Sequence, residues 1–280
     1  MVHSKLTKNG IKKLAIYAIL TFITAIILFP IFWMITTSFK RARDFLAIPP
    51  QWIFEPTVVH YEEISVARPF VTGYMVNSLI IALATTAVCI ILGSLAAYSI
   101  ARFEIKGKEN LAFWVFSQRM IPAPAVALPL YILMREFGLL DTYFGLVLMY
   151  ITFNLPFSIW ILRGFYSEIP RELDEAATID GCSRLGAFFR VVLPLSAPAL
   201  VVTAIFCIVF SWNEFMFALV TTASQSKTLP VAVQEFRGWH ETEWGEVSAA
   251  GGVTILPLLL IAILFERYLV RGLTLGAVKG

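Results

Sequence analysis

Charge is scarce in this chain, and so are the residue types that carry out chemistry. Only 15% of its 280 residues are Asp, Glu, Lys or Arg, and it has three histidines and three cysteines. Cys89, Cys182 and Cys207 are scattered and odd in number, and Cys89 and Cys207 sit inside apolar runs. They imply neither a disulfide framework nor a metal site. His3 lies in an N-terminal tail, and His60 and His240 lie in connecting segments, where surface positions are expected. No H-E-x-x-H or G-x-S-x-G pattern is present, so no catalytic constellation is expected. A G-x-x-x-x-G-K-[ST] run is also missing, so the chain does not bind ATP through a P-loop. The net charge of +3, with no basic run interleaved with aromatics, argues against a nucleic-acid partner.

Apolar surface is what the chain has in excess. Hydrophobic residues make up 58% of it, and the mean hydropathy is +0.77. A soluble core of this size could not hide that much, so lipid is the expected solvent. A bilayer core takes about 20 mostly apolar residues per helix. Six stretches qualify, at 14–37, 73–100, 111–135, 144–163, 197–221 and 249–270. Continuous apolarity over such lengths reads as helix, since barrel strands alternate in segments of about ten. The expected fold class is an all-α membrane protein with six transmembrane helices. Lys5, Lys8, Lys12 and Lys13 precede the first run as in a secretory signal. That run is too long for a signal's apolar region and no A-x-A site follows it, so it reads as a retained span. Pro30, Pro122, Pro124, Pro129, Pro156, Pro198 and Pro257 fall within the spans. Membranes tolerate such breaks where protein or a cavity satisfies the freed backbone groups, so they suit a packing kink or a transport pathway.

Loop charge sets the orientation. With the N-terminus inside, the cytoplasmic side receives Lys5, Lys8, Lys12, Lys13, Arg102, Lys106, Lys108, Arg163, Arg171, Arg184, Arg190, Arg267, Arg271 and Lys279. The outside receives Lys40, Arg41, Arg43, Arg68, Arg135, Lys227 and Arg237, half as many, which favours both termini in the cytoplasm. The expected organisation is a cytoplasmic tail at 1–13, a first transmembrane helix at 14–37 and an external loop at 38–72. A five-helix core at 73–270 follows, containing a cytoplasmic loop at 164–195, and then a tail at 271–280.

That cytoplasmic loop holds a polar island, EAATIDGCSRLGAFFRVVLP at 175–194. Pro170 suits a helix start, and the acids after it suit the helix dipole. Leu173, Ala176 and Ala177 can share an apolar face, with Glu172, Asp174 and Glu175 towards water. Gly181 permits the left-handed turn that ends this helix. Leu185, Phe188, Phe189 and Val192 form the apolar face of a second helix before Pro194. Such a hairpin can anchor a loop at the membrane surface, or it can meet another protein.

Here the chain resembles a known family. EAA, three residues, Gly and a later LP resemble the EAA loop of binding-protein-dependent ABC importer permeases. The wider match resembles the carbohydrate-uptake branch of the maltose-transporter MalG type. It is carried by PIFWMITTSFK at 30–40, NSLIIALATTAVCIILGSLAAYSIARF at 77–103 and LPLYILMREFGLLDT at 128–142. It continues in LRGFYSEIPRELDEAATIDG at 162–181, SWNEFMFAL at 211–219 and EVSAAGGVTILPLLLIAILFERYLVRGLTLGAVKG at 246–280. Cys182 departs from the alanine usual in the family.

The resemblance implies the type I ABC importer permease fold in a bacterial or archaeal inner membrane. It implies a second homologous permease chain, two ATP-binding subunits and an extracytoplasmic solute-binding protein as partners. The cargo is a sugar or sugar-like solute. No cofactor belongs to this chain, and ATP and Mg are bound by the ATPase partners. The permease itself is non-catalytic. Glu175, Ala176, Ala177, Asp180 and Gly181 are carried over as the element that docks on the ATPase.

Candidates for a solute path are Arg119 in the third span and Trp212, Asn213 and Glu214 in the fifth. Asn77, Ser78 and Asn154 follow as weaker candidates, and so does Met120, a residue that commonly fills gaps in packing. Polar groups in spans face partners or a cavity. Arg119 can meet a polar solute, pair within the protein or snorkel to the interface. Trp212 can stack on a sugar while Asn213 and Glu214 bond hydroxyls, or the three can gate the cavity or bond between helices. Trp239, His240, Glu241 and Trp244, in the outer segment at 222–248, are candidates for contact with the binding protein, or form a solvated face. The rival reading is a secondary transporter or channel for a polar solute, which calls for inverted repeats or coupling-ion carboxylates. Glu214 is the one obvious mid-span carboxylate.

Overall fold

A computed structural model describes residues 2–67, 70–236 and 242–275, and their regular elements are helical. They fall into two compact units, 1–69 with 235–253 and 70–234 with 254–280.

The first unit begins with α1 (Val2–Ser38). No residue in the most apolar window of its 27-residue candidate span is buried. Side chains such as Leu14, Phe22, Ile27 and Phe32 are exposed all round, which water would penalise and lipid accommodates. At its end, Ser38 Oγ bonds the Ile35 carbonyl at 2.6 Å and Tyr61 Oη at 2.9 Å. Thr57 N donates to the Phe39 carbonyl at 2.9 Å, closing a loop that carries α2 (Ala42–Phe45). α3 (Val59–Glu62) follows, with a π-helical turn at Glu63–Ala67.

Two residues here differ from the sequence expectation. Lys40, read as a loop charge, is 2% exposed. Its Nζ donates to the Gln51 carbonyl at 2.8 Å and stands 4.6 Å over the Trp33 ring, which compensates its burial. His60, read as a surface histidine, is buried too. Its Nδ1 lies 2.9 Å from Glu246 Oε1, and its Nε2 lies 2.8 Å from the Lys40 carbonyl oxygen. Gly245 makes room for it, since any Cβ there would run into the imidazole.

The second unit is built on α4 (Phe70–Arg102). After it come α5 (Lys108–Ser117), a 3₁₀ turn at Gln118–Met120 and α6 (Ala123–Glu136). The expected third span, 111–135, is therefore not one straight helix but a pair bent by 90°. Pro122 biases Ile121 into the extended region (ψ 124°) and breaks the ladder there. α7 (Tyr143–Glu168) packs along α4. Their close approach is set by Gly93, where an added Cβ would lie 2.9 Å from Ser158 Cβ. Tyr98, Tyr166 and Phe188 form an aromatic core near one end of this pair, and Ile81, Leu146, Tyr150 and Phe217 form another near the opposite end.

The polar island folds as α8 (Glu172–Ile179), α9 (Arg184–Ala187), a π-helical turn at Phe188–Val192 and α10 (Leu193–Leu195). α11 (Ala197–Trp212) is bent 78° from the helical segment before it. α12 (Met216–Thr221) and α13 (Leu229–Val233) follow. α14 (Trp244–Leu275) has its first ten residues in the first unit and the rest in the second. Among the described residues, four helices are long and apolar enough to cross a membrane, and each of the two bent pairs can complete one further crossing.

Asp141 pins the segment after α12. Its carboxylate accepts N–H bonds from Ala223, Ser224, Gln225 and Ser226, each at 3.0 Å. Partial burial alone would raise this carboxyl, but the four backbone donors outweigh it and hold it well below the usual carboxylate range. A depressed pKa contributes stability that is complete above the ordinary aspartate value of about 4 and is lost as pH falls below it. Thermal unfolding of the detergent-solubilised protein should therefore show an acid-dependent loss below about pH 4 that Asp141→Asn reduces. An unchanged acid limb in Asp141→Asn would refute this assignment.

Candidate functional site

The island ends its first helix with a defined cap. Gly181 has φ +87°, in the left-handed region open to glycine. Its N–H bonds the Thr178 carbonyl at 3.1 Å, and the Cys182 N–H bonds that of Ala177 at 2.9 Å. These are the two bonds of a Schellman motif, as the sequence pattern suggested. Ser183 caps the next helix, its Oγ accepting from the Gly186 N–H at 3.1 Å. Glu175, Ala176, Asp180 and Gly181 are exposed, as is Ile179 at 85%, while Ala177 is buried. An accessible acidic and apolar surface is thus held on a short, well-capped helix.

The inner face of α8 differs from the expected one. Leu173 and Ala176 are exposed, and Ala177 turns inward together with Asp174. Asp174 does not point to water: its Oδ2 lies 2.6 Å from Arg102 Nε, with side-chain exposures of 16% and 6%. Arg102, the last residue of α4, draws it in. Arg102 Nη1 also donates to the Ile169 carbonyl at 3.0 Å. Sequence reading missed this pair because alternation of apolar residues places a charge outside by default. The i, i+3 relation of Asp174 to Ala177 was the available signal. Around the pair is a cavity of about 680 Å³ whose walls include Tyr98, Arg102, Asp174, Glu175 and Arg184.

A second cavity, of about 570 Å³, brings Arg119 and Glu214 to one wall set with Thr152, Phe153 and Pro156. Arg119 lies in the bend between α5 and α6. It donates from Nη1 to the Phe153 carbonyl at 3.2 Å, and its guanidinium stands 4.1 Å from the Phe210 ring and 4.7 Å from that of Phe157. Glu214 caps α12, accepting from the Phe217 N–H at 2.9 Å and the Ala218 N–H at 3.2 Å. Asn213 ends α11, its Nδ2 donating to the Val209 carbonyl at 2.8 Å. The W-N-E tripeptide thus breaks the expected fifth span, 197–221, into two helices.

The other path candidates are held in packing. Trp212 is 2% exposed and its Nε1 donates to the Thr254 carbonyl at 3.2 Å, so its ring has no free face for a sugar. Asn154 is fully buried and bonds Ser211 Oγ at 3.0 Å. Asn77 donates from Nδ2 to the carbonyls of Gln225 and Lys227, both at 3.0 Å, and accepts from Tyr143 Oη at 2.6 Å. Trp212 and Asn77 are satisfied by helices and loops, as burial requires, while Asn154 Oδ1 is left without a hydrogen-bond partner among the described residues. In the first unit, Trp244 is half exposed and lines a groove with Trp33 and Phe45. Trp239, His240 and Glu241 lie outside the described residues.

A fold of bent, mostly apolar helices carrying a capped polar island defines a membrane permease. The chain belongs to the family of binding-protein-dependent transport system inner membrane components, whose model matches residues 89–275. It is 40% identical over 258 residues to the trehalose/maltose transport system permease protein MalG of Thermococcus litoralis, covering 91% of this chain and 92% of that one. It is 37% identical over 278 residues to the trehalose transport system permease protein SugB of Mycobacterium tuberculosis, covering 97% and 100% respectively. The fold is similar to a chain in the crystal structure of a bacterial ABC transporter involved in the import of the acidic polysaccharide alginate. The TM-score is 0.75 at 20% identity, covering 93% of this chain and 97% of that chain. The protein is thus a multi-pass membrane subunit of an ABC importer.

Proposed function

We propose that this permease moves a sugar or sugar-like solute inward, delivered by an extracytoplasmic binding protein, with ATP hydrolysed by two partner subunits. It pairs with a second, homologous permease chain, and both its termini lie in the cytoplasm. The chain itself is non-catalytic and binds no cofactor; ATP and Mg belong to the ATPase partners. Glu175, Ala176, Ala177, Asp180 and Gly181 form the docking element. Arg119 and Glu214, with the exposed Asn213, border the solute path, while Trp212, Asn77 and Asn154 hold its frame. Trp244, with Trp239, His240 and Glu241, faces the binding protein.

The observation that carries this reading is the exposed face of α8, closed by the Schellman turn at Gly181, in a chain of this family. Small alanines allow close approach, and the carboxylates suit basic groups on a partner. The sugar class is supported by the names of the two relatives, both permeases for disaccharide uptake systems.

Vesicles containing the full assembly test it. Uptake of labelled trehalose or maltose should require internal ATP and the binding protein, and should be indifferent to ionophores. Uptake driven by an ion gradient without ATP would overturn the reading in favour of a secondary transporter. Thermal-shift screening of the cognate binding protein against sugars, polyols and acidic sugars would identify the cargo.

A further inference from the structure

The docking role assigned to α8 needs a route by which its movement reaches the spans, and the contacts of Arg102 supply one. α4 is the central helix of its unit, packed on both α7 and α11. One end is tied to the cytoplasmic island. Arg102 contacts Asp174 of α8 and the Ile169 carbonyl just before it, and Arg171 Nη2 reaches back to the Ala101 carbonyl at 3.5 Å. Near its other end, Asn77 donates to the Gln225 and Lys227 carbonyls, and Ser78 Oγ accepts from the Leu229 N–H at 2.8 Å. From Asn77 to Arg102 is about 37 Å of continuous helix at the usual rise. A packed helix of that length moves as a body, so a displacement at one end is felt at the other.

We propose that the Arg102–Asp174 ion pair is the joint between α8 and α4, with both as positioning residues. Through it, movement of the docked α8 turns α4 and shifts the 225–229 loop. This rests on the docking reading of α8. The geometry of the pair suits a joint. Both side chains are mostly buried at the wall of the 680 Å³ cavity, and they meet through the single Nε–Oδ2 ion contact at 2.6 Å. Beyond that ionic contact, Arg102 Nε and Nη2 and Asp174 Oδ1 are buried without a hydrogen-bond partner among the described residues. A guanidinium and a carboxylate can also meet as a two-bond fork. The unused donor and acceptor are available for that second arrangement when α8 rocks. Each arrangement would favour a different position of α8, and such a difference is what lets one site bias another.

The test uses the complete assembly in proteoliposomes and reads solute taken up per ATP hydrolysed. Asp174→Asn is expected to lower that ratio about tenfold while the ATPase subunits still co-purify. Asp174→Glu, which keeps the charge, should restore most of it. Should Asp174→Asn fail to fold, the double variant Arg102→Met with Asp174→Leu removes the lone buried charge. It should assemble and remain uncoupled. A wild-type ratio in Asp174→Asn or in the double variant would overturn the joint. So would losses in Asn and Glu variants that only follow lost co-purification. Gly181→Pro and Glu175→Lys separate the two ideas. If they uncouple and Asp174→Asn does not, the joint alone fails. If they leave coupling intact, the docking reading fails with it.

Discussion

Gly181→Pro is expected to reduce ATP-dependent uptake by at least about tenfold while leaving the apolar helices folded. The reason is local. Gly181 sits at φ +87°, a region that costs an L-residue about 1–2 kcal/mol. Proline is fixed near φ −65° and cannot reach it. It also lacks the N–H that bonds the Thr178 carbonyl at 3.1 Å. The cap then opens, and with it the bond from the Cys182 N–H to Ala177. α8 has only eight residues, so losing its last turn removes much of the helix. Gly181→Asn, which tolerates the left-handed region, should keep most of the uptake. Glu175→Lys approaches the same surface by another route, since it reverses an exposed charge and leaves the cap untouched. Co-purification of the ATPase subunits is the direct measurement. If Gly181→Pro and Glu175→Lys both retained the ATPase and the uptake, α8 would not be the docking element.

Gly93→Val is expected to cause the largest loss of stability. A Cβ at Gly93 would lie 2.9 Å from Ser158 Cβ, 3.6 Å from Leu155 Cδ1 and 3.7 Å from the Ile159 nitrogen. Those atoms belong to α7, one of them backbone, so the neighbour cannot swing aside. Overpacking of this kind costs about 1–3 kcal/mol, and valine adds two methyls beyond the Cβ. The midpoint of thermal unfolding in detergent should fall by about 5–10 °C, taking roughly 2–4 °C per kcal/mol for a protein of this size. The same contact holds Ser158 Oγ 3.2 Å from Cys207 Sγ, so α11 would be disturbed as well. Gly164→Ala is the control. Gly164 also lies in α7, but nothing stands within 4 Å of its added Cβ, and alanine is the better helix former. A midpoint for Gly93→Val equal to that of Gly164→Ala would refute the packing argument.

The lipid solvent, the number of apolar stretches and the polar island were all legible in the residues alone. Each follows from properties local to a run of residues: continuous apolarity, a glycine where a helix must stop, acids in a first turn. The Schellman turn at Gly181 was legible for that reason, since its bonds join residues within a few positions of one another. The family was legible too, because its motifs are short and ordered along the chain.

Contacts between groups far apart in sequence came from the packing of the helices. Arg102 and Asp174 are 72 positions apart, and nothing in the spacing of charges announces that they meet. His60 finds Glu246 across an even longer interval and becomes a core residue. Trp212, Asn77 and Asn154 read as path candidates because polar side chains within apolar runs face partners or cavities. Which of the two they face depends on the neighbours that folding brings, and here these were carbonyls, hydroxyls and helix ends. Arg119 and Glu214 carried the same signal and ended on the wall of a cavity. A side chain's type fixes what it needs; packing fixes what it is given, and burial makes the difference count because an unmet polar group in a low-dielectric interior is costly.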